Sequence, residues 1–137
     1  MKVITKDMTI SSKGRREVIN ITSHIEDFVK GTGIRNGLVL VFLPHATAAI
    51  FANEDEPRIR VDYENLFEKL VPANGNYLHN EIDDNGDAHL LTAIFKQFYV
   101  LPIINGELRR GGTWQEVFLV DFDGPRVRNI VLVAIGE

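Results

Sequence analysis

Three of the four histidines in this 137-residue chain, His45, His79 and His89, lie beside expected turns or loops in its middle third. The segment from Glu81 to His89 also carries four acidic side chains and no lysine or arginine. Carboxylate and imidazole groups in one loop can hold a divalent cation, or serve as general acid and base near neutral pH. The spacing matches neither a zinc-protease helix nor a calcium-binding loop. A metal or proton-transfer site is therefore one interpretation of this loop, and a solvated loop with a helix cap is the other.

A second candidate centre surrounds His45, which follows Pro44 and precedes the small residues Ala46-Thr47-Ala48-Ala49. Small side chains at a strand end let a ligand or another backbone approach closely, and the imidazole would point into that space. The alternative is a hydrogen-bonded histidine at a sheet edge. Glu54 precedes an expected helix, where it either interacts with the helix dipole or faces the His45 end of the sheet.

Two glycines, Gly111 and Gly112, lead into the penultimate strand. Glycine weakens a strand by roughly 0.5–1 kcal/mol relative to alanine, so the pair indicates a bulge or a close approach. Alternation places Thr113 and Gln115 on one face and Trp114 on the other, where we expect core or interface packing. Four arginines flank the last two strands and can grip phosphate or remain solvated: Arg109, Arg110, Arg126 and Arg128.

Three helices are expected to position these groups. Ser23 and Glu26 have the spacing of a capping box, which predicts a helix that ends at the glycines after residue 30. Asp55-Glu56-Pro57 opens the second helix, because acidic residues favour the positive end of a helix and proline is tolerated at its first position. A polar loop over residues 72–86 follows, and Asp87 can cap a short third helix that reaches about Lys96.

The remaining segments predict strands. Leu38 to Leu43 is a continuous apolar run, which is typical of a strand buried on both faces. Asn105-Gly106 is the strongest hairpin-turn signal in the chain. The full order is ββαββααβββ over residues 1–137, which predicts a single α+β domain with a largely antiparallel or mixed sheet and helices packed on it.

Composition excludes several classes of function. Fifteen basic and nineteen acidic residues give a net charge of −4, which argues against broad nucleic-acid binding. The absence of cysteine excludes disulfide scaffolds, thiol nucleophiles and iron–sulfur clusters. No apolar run approaches the ~20 residues of a membrane span, and no signal segment opens the chain. We therefore expect a cytoplasmic protein without nucleic-acid or membrane partners.

Taken together, these segments resemble the YjbQ-like proteins, also called secondary thiamine-phosphate synthases. The resemblance covers nearly the whole chain, and its most specific block is Gly112-Thr113-Trp114-Gln115. The other matching segments are Pro44-His45-Ala46-Thr47-Ala48, Asn53-Glu54, Leu70-Val71-Pro72, Asp83-Asp84-Asn85, Ala88-His89, Leu101-Pro102, Asp123-Gly124-Pro125-Arg126 and Ile135-Gly136-Glu137.

The resemblance implies a YjbQ-like α+β fold, a homotrimer, and the joining of a hydroxymethylpyrimidine pyrophosphate to a thiazole phosphate with release of pyrophosphate. It implies a bound divalent ion, zinc or magnesium, for which we consider His45, His79 and His89 as ligands. The family typically carries a hydroxyl residue directly after the first histidine, where this chain has Ala46. The catalytic residues expected on this basis are His45, Glu54, Asp83, Asn85, His89, Thr113 and Gln115, and the phosphate-binding residues are Arg109, Arg110 and Arg126.

Three functions therefore stand side by side. The first is weak thiamine-phosphate synthase activity on small phosphorylated metabolites, in which the Asp83-Asp84 loop with His79 and His89 holds a cation. The second is a metal-assisted hydrolase or lyase that uses the same residues on another small metabolite. The third is a non-catalytic trimer whose histidine–carboxylate cluster carries a metal or ligand at a subunit interface.

Overall fold

Eight strands and three α-helices follow one another in the computed structural model, which describes residues 1–137. The order of the ten expected elements is confirmed, and a two-residue strand is added after the hairpin turn. None of the helices is long and apolar enough to cross a membrane. The elements are β1 (Lys2–Ser11), β2 (Glu17–Asn20), α1 (Thr22–Thr32), β3 (Asn36–Phe42), β4 (Ala48–Glu54), α2 (Pro57–Leu70), a 3-10 helix (Leu78–Glu81), α3 (Gly86–Phe95), β5 (Phe98–Ile104), β6 (Glu107–Leu108), β7 (Gln115–Asp121) and β8 (Val127–Gly136).

The strands form two antiparallel sheets. Five strands pair in the order β1-β8-β3-β5-β6, and three pair in the order β2-β7-β4. A first core of 17 buried residues lies between the two sheets and includes the apolar face of α1. A second core of 10 buried residues lies between the three-stranded sheet and helices α2 and α3. The small sheet is thus the middle layer of the molecule.

Strand β7, rather than β3, is the strand buried on both faces. Val117 and Leu119 face the first core, whereas Phe118 and Val120 face the second. The expectation that the run at Leu38–Leu43 is covered on both sides is wrong within one chain, because only its alternate residues face the first core. The run is apolar throughout, so its pattern could not distinguish the covered face from the outer one.

The outer face of the five-stranded sheet is therefore apolar and open. Three cross-strand rows cover it: Pro102-Leu38-Ile135-Val3, Val100-Leu40-Val133-Thr5 and Phe98-Phe42-Val131-Asp7. Leu38, Phe98 and Val100 keep 47%, 52% and 46% of their surface exposed. Monomeric proteins rarely leave so continuous an apolar surface in water. We call these rows the outer sheet face.

The starts of the first two helices show which of the expected capping interactions form. Helix α2 begins as expected, with Pro57 at its first position and the Glu56 carboxylate accepting hydrogen bonds from the amides of Arg58 and Ile59. The capping box at Ser23 is wrong, because the N-cap of α1 is Ile21, two residues earlier, and the helix begins at Thr22. The side chain of Asn20 accepts from the Thr22 amide instead. Both interactions satisfy free amides at a helix start, but the responsible residue in α1 lies outside the expected box.

The Asn105-Gly106 hairpin turn is confirmed. It joins β5 to β6, with Ile104 opposite Glu107. Asn105 and Gly106 have φ angles of 54° and 81°. A two-residue turn of this hand needs positive φ at both positions, which asparagine and glycine tolerate.

Candidate functional site

Two imidazoles meet at a cleft beside the start of α3. The rings of His79, on the 3-10 helix, and His89, on α3, lie 4.7 Å apart between centroids in an edge-to-face arrangement. They line an open cleft of about 540 Å³ together with Asn76, Tyr77, Leu78, Gly86 and Leu90. A volume of this order suits a small organic molecule. The structure therefore brings together two of the histidines that the sequence singled out.

Asn85 connects this histidine pair to the turn before β8. The Asn85 side chain is buried, and its Oδ1 lies 3.1 Å from Nε2 of His79. Its Nδ2 donates to Oδ2 of Asp123 at 2.8 Å, and Arg126 Nη2 donates to the same oxygen at 3.1 Å. The predicted site residues His79, Asn85 and Arg126 thus belong to one polar network through Asp123, and the His89 ring packs against His79.

Asp87 holds the start of α3 in place and does not cap it as expected. It is the second residue of α3 and fully buried, and its two carboxylate oxygens accept from Arg15 and Arg16 at 3.0 Å each. Arg16 also donates to the backbone carbonyl of Val71, at the end of α2. The β1–β2 turn therefore fixes α3 relative to α2, and with it the position of His89.

A buried ion pair joins the end of β7 to β8, next to the start of the β1–β2 turn. Arg128 donates through Nε and Nη2 to the two carboxylate oxygens of Asp121 at 2.9 and 2.6 Å. Ser12 Oγ donates to Asp121 at 2.6 Å, and Thr47 Oγ1 accepts from Arg128 at 2.9 Å. Burial alone would raise the pKa of Asp121, but the bonds from Arg128, Ser12 and the Asp123 amide outweigh it and hold the pKa below its ordinary value.

His45 lies against β8 beside this ion pair. Its Nε2 lies 2.8 Å from the amide nitrogen of Asn129, which donates to it. Because that nitrogen accepts a hydrogen bond, the neutral ring carries its proton on Nδ1. Partial burial and the neighbouring Arg128 charge lower the pKa of His45. His45 is consequently a neutral hydrogen-bond donor. This agrees with the hydrogen-bonded histidine that the sequence analysis gave as its alternative.

We expect the lowered pKa of His45 to make folding weaker in mild acid. The unfolded chain takes up a proton at about pH 6.5, whereas folded His45 takes it up only at lower pH. This contribution to stability is complete above pH 6.5 and is lost as the pH falls from there through the folded pKa. Urea unfolding of the wild type and His45→Gln at pH 7.5 and 5.5 measures it, with His24→Gln as the control. The prediction fails if both variants show the wild-type pH dependence.

The Gly-Thr-Trp-Gln segment lies at the far end of the β4–β7 strand pair. Ala48 pairs with Asp121 and Glu54 pairs with Gln115, so the two ends of β4 are six residue steps apart. At about 3.3 Å per residue, this places Glu54 and Gln115 about 20 Å from the His45 end. Arg110 joins this second group through Glu116 and the carbonyl of Gln115, and Thr113 and Arg109 are exposed beside it. A single chain therefore keeps the predicted site residues in two separate groups.

Trp114 does not pack in the core of one chain. Its side chain is 67% exposed, while its carbonyl accepts from the amide of Asp55. The core packing expected for it is thus wrong within a chain. Interface packing, the other expectation, stays a prediction.

The donor groups of one chain do not make a metal centre. No set of three or more histidine, aspartate or glutamate side chains is arranged to hold a metal ion. Asp83 and Asp84 are exposed, and both ring nitrogens of His45 are committed, one to the Asn129 amide and one to its own proton. Zinc sites use three or four protein ligands, so His79 and His89 alone fall short.

Comparison with known proteins matches this chain to one family. The family model described as UPF0047 protein YjbQ-like matches residues 6–137. This chain belongs to that family. A UPF0047 protein of Methanothermobacter thermautotrophicus is 40% identical over 137 residues, which are 100% of this chain and 95% of that protein. A UPF0047 protein of Archaeoglobus fulgidus is 39% identical over 94% of this chain and 99% of that protein.

Solved YjbQ-like structures share the fold. The crystal structure of a protein of unknown function from Sulfolobus solfataricus P2 superposes with a TM-score of 0.96 at 39% identity, covering 99% of both chains. A hypothetical protein from Aeropyrum pernix K1 gives a TM-score of 0.93 at 36% identity, over 98% of this chain and 99% of that one. The two-sheet α+β architecture is therefore that of YjbQ-like proteins.

Sequence reasoning missed the network that supports the histidines in this YjbQ-like chain. Ser12, Asp121 and Asn129 carried no motif, and they lie on three different strands or turns. The one available signal was an aspartate at the end of the apolar run of β7, where a buried charge requires a partner. Its partner Arg128, expected either to grip phosphate or to remain solvated, is instead buried in this ion pair.

Proposed function

We propose that this YjbQ-like chain is a cytoplasmic enzyme with weak thiamine-phosphate synthase activity. It would join a hydroxymethylpyrimidine pyrophosphate to a thiazole phosphate: the bond from carbon to the pyrophosphate oxygen breaks with its electron pair, and the thiazole nitrogen forms the new bond to that carbon. The observation that carries the proposal is the cleft lined by His79 and His89, which combines polar ring edges with apolar walls. Such a cleft suits a flat heterocycle with a polar rim.

The region around His45 supplies groups for the phosphate end of a substrate. The Nδ1–H of His45 is a donor, and Arg126 and Arg128 act on His45 electrostatically. Arg126 is itself paired with Asp123, so its guanidinium is already positioned when a phosphate arrives. Stabilising the charge that develops on the departing pyrophosphate is the principal task in this reaction. Magnesium would enter with the pyrophosphate, as it does at many phosphate sites.

The outer sheet face supports a homotrimer as the working form. Its three apolar rows need a cover, and in a cyclic trimer a different surface of the next copy would supply it, because the contacts of such a ring are head-to-tail. The exposed Trp114 and the separation of the two groups of site residues also favour an assembly. In that assembly Glu54, Thr113 and Gln115 of one copy would approach the histidine cleft of another.

A direct assay tests the activity. Thiamine phosphate formation from the two phosphorylated precursors with Mg²⁺ is compared between wild type, His89→Ala and His24→Ala. We expect slow turnover in the wild type and a loss of about 10²-fold or more in His89→Ala, since a positioned hydrogen-bonding group that stabilises the charge developing in the transition state contributes on that order. His24→Ala, on the exposed surface of α1, should retain full activity.

Two results would overturn the proposal. One is a folded, assembled wild type that makes no thiamine phosphate. The other is turnover that survives His89→Ala unchanged. In either case, screening phosphorylated metabolites for hydrolysis or binding would separate the hydrolase and non-catalytic alternatives.

A further inference from the structure

Asn85 occupies a capping position but does not cap. It directly precedes α3, where an asparagine side chain ordinarily accepts a hydrogen bond from an amide of the first turn and contributes about 1 kcal/mol. No such bond forms here. The buried side chain instead bridges His79 and Asp123. A residue that forgoes a local stabilising bond for a long-range one marks a site where position serves function.

The direction of each hydrogen bond in this bridge follows from the group that Asn85 contacts at that end. An ionised aspartate only accepts hydrogen bonds, so Asp123 must face the NH₂ group of Asn85. The Oδ1 atom of Asn85 then faces His79, and an oxygen of this kind also only accepts. His79 must therefore supply the proton, which places it on Nε2. Arg126, which also donates to Asp123, holds this carboxylate in place.

We infer that Asn85 is a positioning residue that fixes His79 as the Nε2–H tautomer, so that the Nδ1 lone pair is the group His79 offers to a ligand in the cleft. Neutral imidazole has one donor and one acceptor nitrogen, and the bridge decides which is which. His45 is held in the opposite sense, with Nε2 accepting from Asn129. The two histidines thus have complementary roles, His79 as acceptor and His45 as donor.

An acceptor at this position selects the class of ligand. The lone pair on Nδ1 pairs with an N–H or O–H donor at the edge of a ring, such as the amino group of an aminopyrimidine. This consequence rests on the proposed function, in which the cleft holds the flat heterocycle of a substrate. His79 accepts a hydrogen bond there, and no proton is transferred in the balanced joining reaction.

Long-range ¹H–¹⁵N correlation of the histidine rings at pH 8 measures the tautomer directly. The chain has only four histidines, and each resonance is assigned by its own His→Gln variant. We expect His79 to be almost entirely Nε2–H in the wild type. In Asn85→Ala and in Asp123→Asn, it should become a mixture of the two tautomers. Asp84→Asn is the matched control, since this exposed side chain of the same loop makes no contact with the network.

The outcomes separate this inference from the proposed function. His79 found as Nδ1–H, or a tautomer that neither variant changes, overturns the inference whatever the activity. If the tautomer behaves as expected and the wild type makes no thiamine phosphate, the inference stands and the proposed function fails. Where turnover exists, Asn85→Ala should lower kcat about 10-fold or more. This decrease should be smaller than the one caused by removing a catalytic side chain.

Discussion

Replacing Asp121 by asparagine is expected to lower the free energy of unfolding by about 3–5 kcal/mol, the cost of leaving one partner of a buried ion pair uncompensated. Asp121 is fully buried and Arg128 is 3% exposed. The neutral amide would leave the Arg128 guanidinium without a counter-charge and without one of the two carboxylate oxygens that accept its hydrogen bonds. Urea unfolding followed by far-UV circular dichroism measures the change. The tryptophan is a poor probe, since Trp114 is exposed in the folded chain.

The same variant should also change how stability depends on acid. The pKa of Asp121 is lower in the folded chain than in the unfolded one, where it is about 3.9. Its contribution is therefore complete above about pH 4 and is lost as the pH falls through the folded pKa. Asp121→Asn should lose less stability than the wild type below pH 4.

Asp27→Asn is the matched control, because Asp27 is exposed on α1 and forms no ion pair. All three proteins are compared at one protein concentration, because the proposed assembly would contribute to apparent stability. A loss below 1 kcal/mol in Asp121→Asn would show that the pair contributes little to the folded state.

Val100→Lys is expected to convert the proposed homotrimer to a monomer. Val100 lies in the middle row of the outer sheet face and is 46% exposed within the chain. An ammonium group at a subunit contact loses water without gaining a partner, which costs about 3 kcal/mol at each contact. That energy weakens association more than about 100-fold. Light scattering after size-exclusion chromatography reports the mass.

Val61→Lys is its matched control. Val61 is 55% exposed on α2, away from the outer sheet face, so the same substitution should leave the assembly unchanged. Circular dichroism should show both variants folded, since both side chains already face solvent within a chain. A Val100→Lys protein of unchanged mass would exclude the outer sheet face as the interface. A wild type that is monomeric at micromolar concentration would exclude the homotrimer.

The sequence by itself determined the elements and pointed to the two histidines of the cleft. Alternating and continuous apolar runs gave the strands, and Pro57 and Asn105-Gly106 marked a helix start and a hairpin turn, because each of these features acts over a few neighbouring residues. The histidines could be singled out because an imidazole beside a turn is a candidate acid, base or ligand whatever the tertiary structure. The motif blocks also identified the YjbQ-like family, which the comparisons confirm.

Only the tertiary structure decided how those residues group and which state each one takes. Residues 85 and 123 meet across 38 positions, and residues 12 and 121 across 109, so no local pattern contains their hydrogen bonds. The protonated nitrogen of His45 and His79 depends on a partner from β8 or from the turn before it. The strand register also places Glu54 and Gln115 far from His45. The motifs that contain these residues carry no information about that distance. Periodicity records which face of an element is apolar, whereas the packing of distant elements determines which groups are covered, paired or left open to a ligand.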